Sequence, residues 1–376
     1  MAEVDDGDER FRDAVGADYD RKAPDLTKTL NIVVVGTVSS GKSSLINAFL
    51  RRGRDNPVAA VGARSGVTKR IQVFRLDDHV CIVDSPGLDD VQAENSEVTR
   101  KFIESIDVGI LVVTGSVDAS QREHVDHLRP RCKRMFVVLN KIDAWDDLVP
   151  AALEEVVTQW KAALGIERLY PTCAKGFDPN TKPGIEPDVR GVDDLRADIE
   201  AFVEAEGKAL LLARQMGEKR SYAMKLIGGA LVSVGAEAFV PGSAIYITAT
   251  QAVAISALYY LYTGRVLSKQ SALALLPTFA AETVGTTLFL WVKSLMPPTG
   301  ALDVAAAGVA MSVTAAMLLA VNSVLASGAE LHEKEKLRSK FRELRGQLSD
   351  TISGASKQDW LTSAFWQKLI HDVMYA

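Results

Sequence analysis

The sequence predicts an α/β domain, a mainly parallel sheet wrapped by helices, followed by an all-α hydrophobic helical domain. Three observations carry this reading. From Leu30 to about Gly217, short β-branched runs alternate with amphipathic stretches, the pattern of strands covered on both faces by crossover helices. At about Ser221 the composition shifts to Ala- and Gly-rich apolar sequence, broken at Pro241, Pro277 and the Met296–Gly300 turn, as in a set of packed helices. With 376 residues, the chain is long enough for two cores.

In chain order, residues 1–28 are acidic and polar, with weak helical character around Glu9–Lys22; they read as an arm or a short helix. Residues 29–217 hold the runs "LNIVVVG", "RIQVF", "HVCIVD", "VGILVVTG" and "RMFVVLN" as strands, and close on Val192–Met216 as one long amphipathic helix. Residues 218–330 form the hydrophobic helical domain. Residues 331–376 supply a charged helix and a C-terminal amphipathic helix, with Ser356 and Asp359 as its capping box and Trp360, Leu361, Phe365, Leu369, Ile370 and Val373 largely on one face.

Composition narrows the function classes. The chain has 43 Lys+Arg against 48 Asp+Glu, a formal net charge of -5, and no long basic block, so nucleic acid is not an expected partner. Cys81, Cys132 and Cys173 are widely spaced with no C-x-x-C pair, which suggests neither a disulfide framework nor a zinc site and fits a reducing cytoplasm. The acidic start lacks the basic-then-apolar order of an export signal.

The chemistry is carried by five short elements. "GTVSSGKS", Gly36 to Ser43, follows a predicted strand and opens a predicted helix. In such a loop the glycines let backbone N–H groups turn toward phosphate oxygens, and the helix N-terminus adds a favourable dipole. Gly36, Ser39, Ser40, Gly41, Lys42, Ser43 and Ser44 are the candidate phosphate-binding residues, with Lys42 reaching the β- and γ-phosphates and the Ser43 hydroxyl on Mg²⁺. "DSPG" ends the third predicted strand; Asp84 can hold Mg²⁺ through water, and the Gly87 N–H can sense the γ-phosphate. Thr68, between the first and second strands, has a hydroxyl and a carbonyl suited to complete the Mg²⁺ shell. "NKID" places Asn140, Lys141 and Asp143 after the fifth strand. A carboxylate at Asp143 can accept both guanine N1–H and N2–H, a donor pair that adenine lacks. "CAKG" places Cys173, Ala174 and Lys175 after the last strand, where the Ala174 N–H would read guanine O6. The metal set is therefore Ser43, Thr68 and Asp84, and the catalytic set Lys42, Ser39, Thr68 and Gly87.

Together these elements resemble the GTPase family of the Ras and Era type across about residues 30–216. The resemblance implies a P-loop GTPase domain that binds GTP/GDP with Mg²⁺ and hydrolyses GTP. Leu88 stands where Ras-like proteins carry a glutamine, which is similar to the Era-like, septin, dynamin-like and immunity-related groups. Leu88 cannot orient water by hydrogen bonding, so hydrolysis needs another device, such as a backbone carbonyl, a switch residue or a partner molecule; Arg64 is one internal charge donor to weigh. The loop wording "SSGKSSLINAFL" is similar to dynamin-like and Era-like patterns, which implies a catalytic role for Ser39. In some potassium-activated relatives an asparagine at that position helps bind a monovalent cation; its absence here leaves such a cation open but not favoured.

The apolar half poses a question of length. Leu226–Val240 spans 15 residues before Pro241, about 22 Å of helix against the roughly 30 Å of a hydrocarbon core. Gly242–Thr263 and Val304–Ala329 are long enough. The arrangement looks like the hydrophobic helical domain behind some Era-like GTPases, and the overall plan like that of immunity-related GTPases. It implies a module that associates with membranes or with itself. The expectation is a cytoplasmic chain that self-associates, meets a membrane by surface contact or insertion with its nucleotide domain on the cytosolic side, or both, with a buried or conditionally exposed helical hairpin ranked above a conventional membrane anchor; the alternative is a slow soluble switch that binds a protein partner.

Overall fold

The structure is a computed structural model that describes residues 2–53, 56–58, 72–85, 105–118, 121–177, 184, 186–280, 301–353 and 362–375. It divides into two compact units, Asp25–Glu218 and, discontinuously, Met1–Pro24 with Lys219–Ala376. Helix α1 (Ala2–Lys22) therefore belongs with the helical unit, where the sequence left an arm or a short helix at residues 1–28.

Among the described residues, the Asp25–Glu218 unit forms a seven-stranded sheet in the order β2-β3-β1-β4-β5-β6-β7. Its strands are β1 (Leu30–Val35), β2 (Gln72–Arg75), β3 (Val80–Ser85), β4 (Ile106–Thr114), β5 (Cys132–Asn140), β6 (Tyr170–Lys175) and β7 (Asp188–Arg190). β1 is buried along its whole length, as a central strand covered on both faces must be, which is why it reads as an unbroken apolar run. Its parallel neighbours are β3 and β4; β2 and β7 close the two edges in antiparallel fashion. The five parallel strands thus deliver their C-terminal ends to one edge, with the order reversing beside β1, where open α/β sheets place ligands.

Helix α2 (Lys42–Phe49) follows β1; α3 (Gln121–Leu128) and α4 (Pro150–Leu164) follow β4 and β5. One core cluster joins Val33, Leu111, Val125, Leu139 and Trp160. The expected single helix over Val192–Met216 is two, α5 (Val192–Ala205) and α6 (Ala209–Gln215). Gly207 takes φ 68, and its N–H bonds the Glu204 carbonyl while the Lys208 N–H bonds that of Val203. This glycine-centred C-cap satisfies the orphan carbonyls of α5 and stops it.

The far end of α2 is held from α5. Arg196 is buried; its Nε and Nη2 donate to the Phe49 and Ala48 carbonyls, each at 2.8 Å. Two charge-assisted bonds to a helix end, at about 1.5–3 kcal/mol each, make this a strong anchor. Arg196→Ala is expected to lower the stability of this unit by about 2–4 kcal/mol, read as a fall in the urea midpoint of its transition. A change below about 0.5 kcal/mol, the range of an ordinary surface substitution, would show that water replaces the guanidinium without cost.

The helical unit packs α1, α7 (Arg220–Glu237), α8 (Ser243–Thr263), α9 (Lys269–Ala280), α10 (Ala301–Ala326), α11 (Lys334–Ser353) and α12 (Ser363–Tyr375). The break between α7 and α8 falls at Pro241–Gly242, Gly242 taking φ 75. The expected break at Pro277 is absent: Pro277 lies inside α9. A proline removes one helical hydrogen bond, and burial of Phe279 against Phe341, ring centroids 5.3 Å apart, offsets that loss.

Two helices, Ser243–Thr263 and Ala307–Ala326, are long and apolar enough to cross a membrane. Most of each is buried inside the unit, and polar cross-links tie them together. Gln251 donates to Thr314 at 2.8 Å and Tyr262 to Asn322 at 2.8 Å. Lys22 of α1 pairs with Glu237 at 2.7 Å and donates to Thr250 at 2.9 Å. The charge of Glu237, which ends α7, is thus matched inside the unit. In α12, Trp366, Leu369 and Ile370 are buried and the helix packs on α7; Ser356, Asp359, Trp360 and Leu361 lie outside the described residues.

Candidate nucleotide site

The loop from Gly36 to Gly41 leaves β1 and turns into α2. Gly36 has φ 152, and a Cβ there would run into the Val112 carbonyl oxygen. Gly41 has φ 85, and a Cβ there would strike the side-chain nitrogen of Asn140. Both positions need glycine on conformational and steric grounds together. Ser39 also holds positive φ, at 66, the kind of backbone outlier that clusters at ligand loops.

Lys42 is buried at 4 % exposure. Its Nζ donates to the Gly36 carbonyl at 2.9 Å and the Thr37 carbonyl at 3.1 Å, and stands 3.8 Å from Asp84 Oδ1. Ser43 Oγ donates to Asp84 Oδ2 at 2.7 Å, joining the loop helix to the end of β3. Burial pulls the Lys42 amine below its usual range, Asp84 working against it. Burial also pushes the Asp84 carboxyl up, against the Ser43 hydroxyl and Lys42. Both ions are therefore underserved where they sit. Asp84 Oδ1 and Ser40 Oγ are buried and make no hydrogen bond among the described residues, an arrangement that buried polar atoms seldom keep without a ligand.

On the base side, Asn140 at the end of β5 is 2 % exposed. Its Nδ2 donates to the Ser40 carbonyl at 2.9 Å and its Oδ1 accepts from Thr172 Oγ1 at 3.2 Å. One side chain thus ties the phosphate loop to β6. Lys141 takes φ 64 and caps the start of the 3-10 turn Ile142–Trp145. Asp143 pairs with Lys175 at 3.3 Å. Cys173 and Ala174 are buried in β6, and the Cys173 thiol stands 3.6 Å from Asp143 Oδ1 and 3.4 Å from Asp188 Oδ2.

The structure thus gathers Gly36, Ser39, Ser40, Gly41, Lys42, Ser43, Ser44, Asp84, Asn140, Lys141, Asp143, Cys173, Ala174 and Lys175 along the C-terminal edge of the sheet. Thr68 and Gly87, with Arg64 and Leu88, lie outside the described residues. Thr172 escaped the sequence reading; its only signal is its place one residue before "CAK".

Residues 31–141 match the family model described as a 50S ribosome-binding GTPase. That span contains the Gly36–Ser43 loop, Asp84 and Asn140 in the geometry above. The Asp25–Glu218 unit has the P-loop GTPase fold. The chain is similar to the tRNA modification GTPase MnmE of Desulfotalea psychrophila, 28% identical over 209 residues, which is 50% of this chain and 43% of that one. It is similar to the nuclear GTP-binding protein NUG1 of Saccharomyces cerevisiae, 39% identical over 64 residues, 17% of this chain and 12% of that one. Among solved structures, the G domain of the T. maritima FeoB iron transporter matches at 19% identity and TM-score 0.28, covering 46% of this chain and 99% of that one. The chain spans less than half the length of these curated relatives.

Proposed function

We propose that the chain binds GTP with Mg²⁺, hydrolyses it to GDP and phosphate, and uses the nucleotide state to control self-assembly or membrane association of the helical unit. It would act in the cytoplasm as an enzyme of the Era-like or dynamin-like kind. The single observation that carries the reading is the 2.7 Å bond from Ser43 to Asp84 beside the buried Lys42. It puts a hydroxyl, a carboxylate and an ammonium at one point on the edge of the sheet.

The oxygen donors there suit a small hard cation. Asp84 Oδ1 has no hydrogen-bond partner among the described residues, and a hydroxyl–carboxylate set is what Mg²⁺ takes alongside waters and phosphates. Ser43 and Asp84, with Thr68, are the residues that would hold Mg²⁺; the chemistry it supplies when bound is neutralisation of phosphate charge. Lys42 exchanges its two carbonyl partners for β- and γ-phosphate oxygens. The loop N–H groups and the start of α2 add donors that need no reorganisation as charge develops. Ser39 is one of these donors, the Gly87 N–H would add another, and water would attack the γ-phosphate in line. Asp143 takes the guanine N1–H and N2–H, and the Ala174 N–H donates to O6.

Burial of both membrane-length helices, 61% and 72% of their apolar windows, together with their polar cross-links, favours a second reading, a soluble switch that binds a protein partner. GTP turnover against protein concentration, with and without phosphatidylglycerol–phosphatidylcholine vesicles, separates the two. Turnover per molecule that rises with concentration or vesicles supports assembly; flat turnover under both conditions overturns it in favour of the soluble switch. The net charge of -5 supports leaving nucleic acid out of both readings.

A further inference from the structure

Strand β7 brings a guanidinium to the base side of the site. Arg190 Nη1 and Nη2 donate to Asp146 Oδ1 and Oδ2 at 2.9 and 2.8 Å, a parallel two-pronged pair with the turn after "NKID". Its Nε and Nη2 donate to Asp188 Oδ1 and Oδ2, each at 2.9 Å. Asp188 Oδ2 also faces the Cys173 thiol at 3.4 Å, and the same thiol faces Asp143 Oδ1 at 3.6 Å. β7 pairs antiparallel with β6 in the register Cys173↔Arg190, Ala174↔Val189 and Lys175↔Asp188. The network therefore starts on the turn that carries Asp143, crosses β7, and returns through Cys173 to Asp143.

We propose that Arg190, through Asp146 and Asp188, is the positioning residue that sets the distance between the Asp143 turn and the Cys173–Lys175 segment, and so tunes recognition of the guanine exocyclic amine. This rests on the assignment of Asp143 and Ala174 to guanine. The argument is one of geometry. The two base-reading segments belong to different elements, a 3-10 turn and a strand end, and backbone hydrogen bonds tie β6 to β5 only as far as Asn140↔Thr172. Past that point, side chains must hold the segments together. A single exposed ion pair contributes little, but a planar fork bound to two carboxylates fixes direction as well as distance. Lysine, a point charge, cannot reproduce the fork.

The test compares GTP with inosine triphosphate, which differs from it only in lacking the exocyclic amine. In the wild-type chain, displacement of a fluorescent GDP analogue should show a preference for GTP over inosine triphosphate. Arg190→Ala and Asp146→Asn are each expected to cut that preference by about fivefold, the double variant by no more than either single one because the groups act as a unit. Arg190→Lys should behave like Arg190→Ala. The thermal midpoint of the nucleotide-free protein should stay within about 2 °C, as for an exposed ion pair. An unchanged preference in the variants, or equal loss of both nucleotides with a lowered midpoint, overturns the positioning role while leaving the guanine assignment intact. A wild-type chain with no preference between the two nucleotides overturns the guanine assignment itself.

Discussion

Lys42→Ala is expected to abolish measurable GTP and GDP binding while leaving the nucleotide-free fold in place. Lys42 is buried and its charged form is disfavoured by that burial. Two main-chain carbonyls and a carboxylate at 3.8 Å offset the cost only in part. Removing the amine thus deletes a cation that the loop carries at some expense. Bound phosphate would replace the two carbonyls by anionic oxygens, and hydrogen bonds between charged groups contribute about 1.5–3 kcal/mol each. Losing two of them weakens binding by roughly 3–6 kcal/mol, a factor of about 10² to 10⁴. Titration with a fluorescent GDP analogue reads the loss, and the rise in Tm that GDP gives the wild type should vanish in the variant. Retained affinity within tenfold would show that Lys42 stays on its own loop when nucleotide binds.

Asp143→Asn should exchange base preference. A carboxylate accepts from both guanine N–H groups; an asparagine keeps one acceptor and turns its amide toward the other position, where the 2-carbonyl of xanthine is the complementary group. Leaving a donor opposite a donor costs more than losing a bond, so GTP affinity should fall by about 10²-fold or more. Xanthosine triphosphate should become the better ligand in competition assays. The Lys175 ion pair at 3.3 Å is lost in the same variant; Lys175→Ala is the control, expected to cost less than tenfold because that side chain is largely exposed. Undiminished GTP affinity in Asp143→Asn would remove the guanine assignment.

The phosphate side of the site was legible in the sequence because it is local. Gly36, Gly41, Lys42 and Ser43 lie within eight residues, and the strand–loop–helix in which they work is encoded by the same short stretch. The base side was legible only in part. "NKID" and "CAK" announce themselves by residue type, but Thr172, Asp188 and Arg190 act through strand pairings that no spacing reveals. Β-strand register is a long-range property, and β7 at three residues is too short for its alternation to register as a pattern. Helix ends are less legible: the Gly207 cap is hidden in a continuous amphipathic stretch, and Pro277 reads as a break because proline's local cost is visible in sequence while the burial of Phe279 is not.

The sequence by itself determined the alternation of strands and helices, the glycine-dependent phosphate loop and the identity of the charged groups. All of these depend on residues close together along the chain. The tertiary structure alone decided that Asp84 meets Ser43, that Asn140 ties the loop to β6, that Arg196 anchors the end of α2, and that most of the two membrane-length helices is buried among other helices. Such pairings depend on which surfaces are brought together by burial of apolar area, a non-directional force whose outcome is specified by the packing of the whole unit and by no single stretch of it.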